Sequence, residues 1–347
     1  MKKSISLILS LFLVTLAFTQ QKQYKIVAFG FYNLENFYDT INQPNVDDEE
    51  FTPEGKNHYT GKIFWDKVDH LAEVVSQIGT EQTPDGLAFF GVAEIENRTV
   101  LETLAKHPKL VARNYQVVHY DGPDYRGVDC GFMYNPKYFN VLDSRSLRVN
   151  LKEVNSDGRP TRDILYVKGL LNGSDTVHVF VNHWPSRRGG EELTAPYRKF
   201  AAGVSKKFID SLMAINPNTK VINMGDLNDN PTDPSMTKVL NCVDKKEKCK
   251  DGGLFNPWVD FYKKGIGTLG YNDAWSLFDQ IVVSCGWLNN NQDGYFYHKA
   301  HIFNKEFMVQ KTGKYKGYPK RTWDFNLYNA GYSDHFPTYI TILKELK

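Results

Sequence analysis

The sequence predicts an α+β protein in which two β-sheets pack face to face and helices cover their outer surfaces. Short runs rich in Val, Ile, Phe and Tyr recur along the chain, and a few amphipathic stretches with helical periodicity lie between them. No internal repeat or heptad pattern is present. Because each sheet must bury its apolar face against another layer, so many strands favour two packed sheets.

The predicted elements follow from composition and period. Strands are predicted for residues 24–33, 87–94, 115–120, 128–135, 138–149, 162–171, 177–183, 219–225, 277–284, 296–303 and 336–343. A helix is predicted over about 62–79, because apolar residues recur at steps of four, three, four and three from Phe64 to Ile78. The other predicted helices are 98–107, 193–214 and 233–240. The segments 39–62 and 250–275 are predicted to be loops, and long loops of this kind usually shape a functional groove.

The first residues have the order of a secretory signal peptide. Lys2 and Lys3 precede an apolar run from Ile5 to Phe18, and a polar segment follows. The run falls short of the ~20 residues that span a bilayer, which argues against integral membrane association. We therefore expect residues 1–20 to be removed, the protein to be exported to the periplasm or outside the cell, and 21–347 to form one catalytic domain.

The charge of the mature chain limits the kind of binding expected. The sequence contains 42 Lys and Arg against 40 Asp and Glu, and two of the lysines lie in the predicted signal peptide. The mature protein is therefore near neutral and lacks the strong positive charge of a tight nucleic-acid binder. Any contact with phosphates should be local and sensitive to salt.

The four cysteines fit neither a disulfide scaffold nor a zinc site with paired spacing. Cys242 and Cys249 can close a small disulfide loop after export, because the residues between them are polar. Cys130 and Cys285 lie in apolar, strand-like runs, which predicts small buried hydrophobic side chains.

Acids, amides and histidines cluster at the ends of the predicted strands. In chain order they are Asn33, Glu94, Asn182-His183, Gly225-Asp226-Leu227-Asn228, Asp279 and Ser333-Asp334-His335. Each motif alone has an ordinary explanation, such as a turn former or a solvated strand end. Asp279 differs, because a carboxylate within an apolar strand needs a buried partner, and a histidine would suit. Together the motifs predict a catalytic site.

In this order the motifs resemble those of the endonuclease/exonuclease/phosphatase superfamily, which includes deoxyribonucleases, abasic-site endonucleases, sphingomyelinases and inositol polyphosphate phosphatases. The resemblance covers roughly residues 24–343. It implies a four-layer α/β–β/α sandwich of two mixed sheets flanked by helices. It also implies a divalent-metal-dependent phosphoesterase. Carboxylate and amide oxygens suit Mg²⁺, Mn²⁺ or Ca²⁺ better than zinc.

The resemblance also implies roles for particular residues. Glu94 and Asp334 would hold the metal, with Asn33 close by. Asp226 would orient and activate the attacking water, and Asn228 would contact the phosphate or fix Asp226 in place.

Two histidines complete the implied set. His335, held in one tautomer by Asp279, would donate a hydrogen bond to the phosphoryl oxygen. His183 would take the second histidine position, and the sequence leaves open which of the two acts as the acid.

Further residues near these motifs are additional candidates. Arg162 and Arg187, with its neighbour Arg188, are predicted to bind phosphate, because the guanidinium fork matches phosphate oxygens. Glu35 and Glu96 lie close enough to the proposed ligands to be alternates.

The favoured function is an exported nuclease acting on DNA or RNA. Alternatives are a phosphoesterase for phospholipid head groups or small phosphate esters, and a binding module that has lost turnover. A polysaccharide hydrolase can also use paired carboxylates, but that chemistry has no need of the two histidine motifs.

Overall fold

The computed structural model describes residues 22–271, 273–289 and 294–346. The predicted signal peptide, residues 1–20, lies outside the described residues. Within the described ranges, no helix has the length and apolar character needed to traverse a bilayer.

The chain forms many strands and few helices. The strands are β1 Gln23–Phe37, β2 Leu87–Ile95, β3 Gln116–His119, β4 Asp129–Tyr134, β5 Phe139–Leu147, β6 Ile164–Leu171, β7 Asp175–His183, β8 Lys220–Asp226, β9 Cys242–Val243, β10 Leu254–Phe255, β11 Leu269–Tyr271, β12 Ala274–Ser276, β13 Asp279–Ser284, β14 Phe296–Ile302, β15 Trp323–Asp324, β16 Leu327–Tyr328 and β17 Thr338–Leu346. The α-helices are α1 Gly61–Gln77, α2 Arg98–Ala105, α3 Glu191–Ile215 and α4 Val259–Lys263.

The strands assemble into two large mixed sheets and two small hairpins. The first sheet has six strands in the order β14-β17-β1-β2-β4-β3, and the second has seven in the order β5-β6-β7-β8-β13-β10-β9. A parallel pair lies near the centre of each, β1 with β2 and β7 with β8. Parallel neighbours end at the same edge of a sheet, so each sheet offers a pair of adjacent carboxyl ends.

Side chains of the central strands alternate between the two faces of each sheet. In β1, Phe29 and Phe31 enter the core between the sheets, whereas Ala28 packs in a cluster with α1 and α2. In β7, Val179 enters the same central core, whereas Phe180 packs in a cluster with α3. The layers are therefore α1 and α2, the first sheet, the second sheet, and α3. The predicted two-sheet sandwich is confirmed.

The predicted elements agree closely with this structure. Each predicted strand and each of the first three predicted helices forms, with ends shifted by a few residues, and the predicted 233–240 helix is a single π-helical turn at Ser235–Val239. The loop prediction for 250–275 is wrong, because β10, α4 and β11 lie there. Phe255 and Trp258 are buried in the core between the sheets. These aromatic side chains fill the core. The glycines around them are typical of loops, which led to the loop prediction.

The disulfide joins a different pair of cysteines from the one that the sequence left possible. Cys249 is bonded to Cys285 with their Cα atoms 5.6 Å apart, and Cys130 and Cys242 are free. The Cys242–Cys249 bond that the sequence left possible does not form, and Cys285 is buried as predicted but is bonded rather than an isolated side chain. The pairing depends on the contact between β10 and β13, which brings the two bonded segments together.

Replacing both Cys249 and Cys285 with serine is expected to lower the free energy of unfolding by about 2–4 kcal/mol, because the bond closes a long loop in the unfolded chain. Urea denaturation followed by circular dichroism measures this change. Cys242→Ala, which removes a free thiol and keeps the disulfide, is the control and should match the wild type in both oxidised and reduced buffer. Equal stability of the double variant and the oxidised wild type would contradict the bond.

Candidate active site

The strand register places several of the predicted residues in one row across the second sheet. His183 at the end of β7 pairs with Asp226 at the end of β8, and Asp226 pairs with Asp279 at the start of β13. Paired residues on neighbouring strands point to the same face of a sheet. Met224, two residues before Asp226, lies in the core between the sheets, so this row faces the first sheet.

Asn33 connects the first sheet to this row. Its side-chain nitrogen donates to Asp226 Oδ2 at 3.1 Å, and its oxygen accepts the Glu35 N–H at 2.9 Å. Both ends of the amide are therefore hydrogen-bonded. This arrangement gives Asn33 a positioning contact to Asp226 and leaves it less free to act as a direct metal ligand.

Asp226 lies at the centre of the site. The backbone N–H of Asn228 donates to its Oδ1 at 3.0 Å, and the Asn228 side chain donates to the Trp184 carbonyl at 2.9 Å. Asn228 therefore contacts Asp226 through its backbone, while its side chain holds the end of β7. Burial raises the pKa of Asp226 to about 7; His335 opposes this shift, and the carboxylates of Asp279 and Glu94 add to it.

His335 and Asp279 form a buried pair. His335 Nδ1 lies 2.7 Å from Asp279 Oδ2, which is the contact the resemblance implied. Burial alone would lower the pKa of His335, but the carboxylates of Asp279 and Asp226 raise it well above its usual range. His335 Nε2 therefore presents an N–H toward Asp226 Oδ2, 3.9 Å away.

His183, unlike His335, is held in its neutral form. Burial, aided by the positive charges of Arg162 and Arg126, holds the pKa of His183 well below its usual range. Its Nε2 lies 3.7 Å from both Glu94 Oε1 and Asp226 Oδ2. The site thus contains one neutral and one protonated imidazole, and opposed protonation states of this kind suit acid–base chemistry.

Glu94 and Asp334 are the carboxylates most open to solvent, with side chains 16% and 31% exposed. One oxygen of Glu94 accepts the Asn36 N–H at 3.0 Å, and one oxygen of Asp334 accepts from Arg321 at 2.9 Å. Their other oxygens lie 3.7 and 3.8 Å from His183 Nε2 and His335 Nε2. These separations exceed hydrogen-bond length, so each carboxylate keeps an oxygen facing the centre of the site.

The backbone around these residues is held in an uncommon conformation. Positive φ angles occur at Glu35 (49°), Asn36 (50°), Glu94 (59°) and Asn228 (50°). Residues with side chains rarely adopt this region, and such strain collects at functional sites. Gly225, with φ 158°, packs so closely that a Cβ would collide with the Asn182 carbonyl.

The residues present fit a hard divalent cation. Three ligand atoms from Asp226, Asp279 and His335 lie within 4.8 Å of one another. His335 and Asp279 already share a hydrogen bond, so this trio offers mainly the Asp226 oxygen. The open oxygens of Glu94 and Asp334 add to it. Burial and, to a smaller extent, repulsion from nearby carboxylates raise the pKa of Asp226, and a bound cation would relieve that repulsion.

The two arginines predicted to bind phosphate have other partners. Arg162, with a side chain only 7% exposed, donates to Asp124 Oδ2 at 3.0 Å and to the carbonyls of His183 and Trp184 at 3.2 and 2.6 Å. It holds the end of β7 in place. We therefore withdraw the prediction that Arg162 binds phosphate.

Arg187 is similarly occupied. Its guanidinium donates to the Asn228 carbonyl at 2.8 Å and to the carboxylates of Asp229 and Asp233 at 3.2 and 2.6 Å. Glu191 lies against its remaining nitrogen at 2.5 Å. Arg187 stabilises the loop after β8. Its predicted role as a phosphate ligand is therefore corrected as well.

Glu35 and Glu96, the alternative candidates for metal ligands, hold loops in place. Glu35 accepts the Thr322 and Trp323 N–H groups at 2.7 and 3.3 Å, and burial with repulsion from Asp334 raises its pKa to about 7. Glu96 accepts the Asp39 N–H at 2.6 Å, and burial raises its pKa to about 8.

Sequence reasoning missed three cationic side chains near the site. Lys67 of α1 is fully buried and donates to Thr322 Oγ1 and to the Tyr332 carbonyl. Arg126 and Arg321 lie beside the site on two different loops. Lys67 had a signal in the sequence, because it lies three residues after Phe64 and four before Leu71, on the apolar side of α1. The sequence also offered a signal for Arg126, because this residue lies in a polar loop just before β4, the strand that pairs with β2.

The fold and this site together define the class of protein: a phosphoesterase built on a two-sheet sandwich. The chain belongs to the Endonuclease/Exonuclease/phosphatase family, whose model matches residues 27–344. No match to a curated protein is found.

Solved structures share the fold at low sequence identity. A truncated TDP2 from Caenorhabditis elegans has a TM-score of 0.54 and 14% identity over 91% of this chain and 97% of its own. TDP2 from D. rerio, complexed with a single-strand DNA product, has a TM-score of 0.52 and 13% identity over 91% and 98%. A mannosyl-6-phosphatase from Bacteroides thetaiotaomicron has a TM-score of 0.54 and 13% identity over 91% and 99%. At these identities the likeness concerns the fold alone.

Proposed function

We propose that this protein is an exported, divalent-metal-dependent phosphodiesterase that cleaves DNA or RNA. The observation that carries the proposal is the position of Asp226. Its Oδ2 is held by Asn33 and lies 3.7 Å from one imidazole and 3.9 Å from the other. Carboxylates of Glu94 and Asp334 flank this centre.

Hydrolysis of a phosphodiester requires a positioned water, neutralised charge and a stabilised leaving oxygen. Asp226 accepts the proton of the attacking water, and Asn33 and Asn228 hold its carboxylate in the required orientation. His335, protonated by its contact with Asp279, donates a hydrogen bond to the phosphoryl oxygen as negative charge develops. His183 lies on the other side of Asp226 and is the second hydrogen-bonding imidazole.

A divalent cation would be held by Glu94 and Asp334, with Asp226 nearby. When bound, it supplies charge neutralisation and Lewis-acid polarisation of the phosphate. Oxygen ligands favour Mg²⁺, with Mn²⁺ and Ca²⁺ as the other hard cations of this type.

The structural neighbours support two substrate classes. The D. rerio TDP2 structure holds a single-strand DNA product, which supports nucleic acid as the substrate. The mannosyl-6-phosphatase supports a small phosphate monoester as the second candidate. The two histidines around Asp226 favour the diester, because a polynucleotide leaving oxygen benefits from a proton donor.

Export and a single catalytic domain from residue 21 remain part of the proposal. The Cys249–Cys285 bond supports export, because disulfides persist mainly in oxidising compartments.

The purified mature protein with Mg²⁺ or Mn²⁺ is expected to degrade single-stranded DNA or RNA, and EDTA should abolish the activity. Gel assays of both polymers, run beside mannose 6-phosphate, phospholipids and inositol phosphates, measure the preference. If phosphate is released from mannose 6-phosphate alone, the nuclease proposal is wrong and the protein acts on small phosphate esters. No metal-dependent cleavage of any of these substrates would defeat it.

A further inference from the structure

We propose that Arg126 and Arg321 bind the phosphate oxygens of the substrate, one beside Glu94 and the other beside Asp334. The assignment deepens the proposed function and rests on it. It replaces Arg162 and Arg187 as the anion-binding groups of the site.

The site needs such groups, because its own side chains are mostly anionic. Its carboxylates are Glu35, Glu94, Asp226, Asp279 and Asp334. A phosphate ester approaching this set meets repulsion unless cations lie at the point of entry. A bound metal offsets part of the charge, and arginine adds directed donors that match phosphate oxygens.

Arg126 has an available guanidinium. Its side chain is 29% exposed, and its nearest carboxylate contact is Nε to Asp124 Oδ1 at 3.6 Å. In the part of the chain that the structure describes, this guanidinium donates no hydrogen bond within normal length. Its backbone, by contrast, is fixed on both sides, since its N–H donates to Asp124 and its carbonyl accepts from Tyr38.

The strand register places Arg126 close to the catalytic residues, because Asp129, three residues further on, pairs with Ile95, the residue after Glu94. Burial opposes its charge, but the carboxylates of Glu94 and Asp124 raise the pKa of Arg126 above its usual value. The same guanidinium contributes to the lowered pKa of His183. Asp124 also binds Arg162, which holds the His183 carbonyl, so the loop is tied to the end of β7.

Arg321 occupies the corresponding position beside Asp334. Its Nη2 donates to Asp334 Oδ2 at 2.9 Å, and its Nε lies 3.9 Å from Glu35 Oε1. The side chain is 37% exposed, and among the described residues its buried Nε has no hydrogen-bond partner. The Nη2 of Arg321 is therefore hydrogen-bonded to Asp334, the candidate metal ligand. The other N–H groups of the guanidinium remain for a substrate oxygen.

One small cluster fixes both arginine-bearing loops. We call it the aromatic cluster, and it comprises Tyr38, Phe51, Tyr59, Val128 and Trp323. Val128 follows Arg126 by two residues, and Trp323 follows Arg321 by two residues. Both guanidinium groups thus extend from the same packed unit, which preorganises them around the site and reduces the entropy lost on binding.

Calorimetric titration of inorganic phosphate into the full mature protein with Mg²⁺ tests the proposal without requiring turnover. R126Q and R321Q are each expected to weaken phosphate binding about 10- to 100-fold, the value of a charge-assisted hydrogen bond. R98Q, which removes an exposed arginine of α2, is the matched control and should leave binding unchanged. R126K and R321K keep the charge without the fork, and we expect an intermediate loss.

Michaelis kinetics give the second readout. With whichever ester the wild type cleaves, the glutamine variants should raise KM far more than they lower kcat, at unchanged Tm. Wild-type phosphate affinity in both glutamine variants would overturn the assignment even if the enzyme cleaves DNA. If the glutamine variants do not fold, wild-type affinity in both lysine variants would overturn it equally. Loss of phosphate binding in a protein that cleaves no ester would support the anion site and defeat the proposed function.

Discussion

Replacement of Asp226 by asparagine is expected to lower kcat about 10³- to 10⁴-fold, because the amide keeps the shape of the carboxylate but cannot accept a proton from water. Asp226 is the buried carboxylate whose Oδ2 lies 3.7 and 3.9 Å from the two imidazoles, and Asn33 and the Asn228 N–H hold it there. KM should change little, because the lost interaction belongs to the transition state.

Steady-state rates on single-stranded DNA or on bis(p-nitrophenyl) phosphate measure the effect. Asp210→Asn is the matched control, since Asp210 lies on α3 in an exposed pair with Lys206. Thermal unfolding should show that D226N remains folded. Retention of more than about a tenth of the wild-type kcat in D226N would remove Asp226 from the role of general base.

The second large effect concerns His335 and Asp279. H335Q and D279N are each expected to lower kcat about 10²- to 10³-fold, the cost of losing one preorganised donor to the phosphoryl oxygen. Because Asp279 acts through His335, the double variant should be about as slow as H335Q alone. Multiplicative losses would show that the two side chains act independently.

The pH profile of D279N separates electrostatic from merely structural effects. Asp279 is one of the carboxylates that raise the pKa of His335, so its loss lowers that pKa. His335 must be protonated to donate, and activity therefore falls as pH rises through its pKa. In D279N this basic limb should move to lower pH. An unmoved limb, with kcat still reduced, would indicate a structural role.

Strand ends were the informative part of the sequence. Asn33, His183 and Asp226 each lie at or near the end of a strand in a parallel pair, and such ends meet at one edge of a sheet. Asp279 was predictable for a different reason, since its apolar flanks demanded a partner. His335 supplies that partner 56 positions away.

Loop residues were harder to place, because their partners come from distant segments. Arg162 was interpreted as a phosphate ligand, yet Asp124 across the fold pairs with it. Lys67 lies on the apolar side of α1, and its partners Thr322 and Tyr332 come from a distant segment. Cys285 pairs with Cys249 only because β10 lies beside β13. Composition and period cannot supply such contacts, because they depend on how non-adjacent loops pack.

Hydrolysis of bis(p-nitrophenyl) phosphate by metal-depleted protein, before and after addition of Mg²⁺ or Mn²⁺, tests the central claim most directly. The account predicts no turnover without metal, restoration by either cation, and no restoration in E94Q or D226N. Turnover that persists in EDTA, or that returns fully in both variants, would contradict a metal-assisted phosphoesterase centre at this edge of the sandwich.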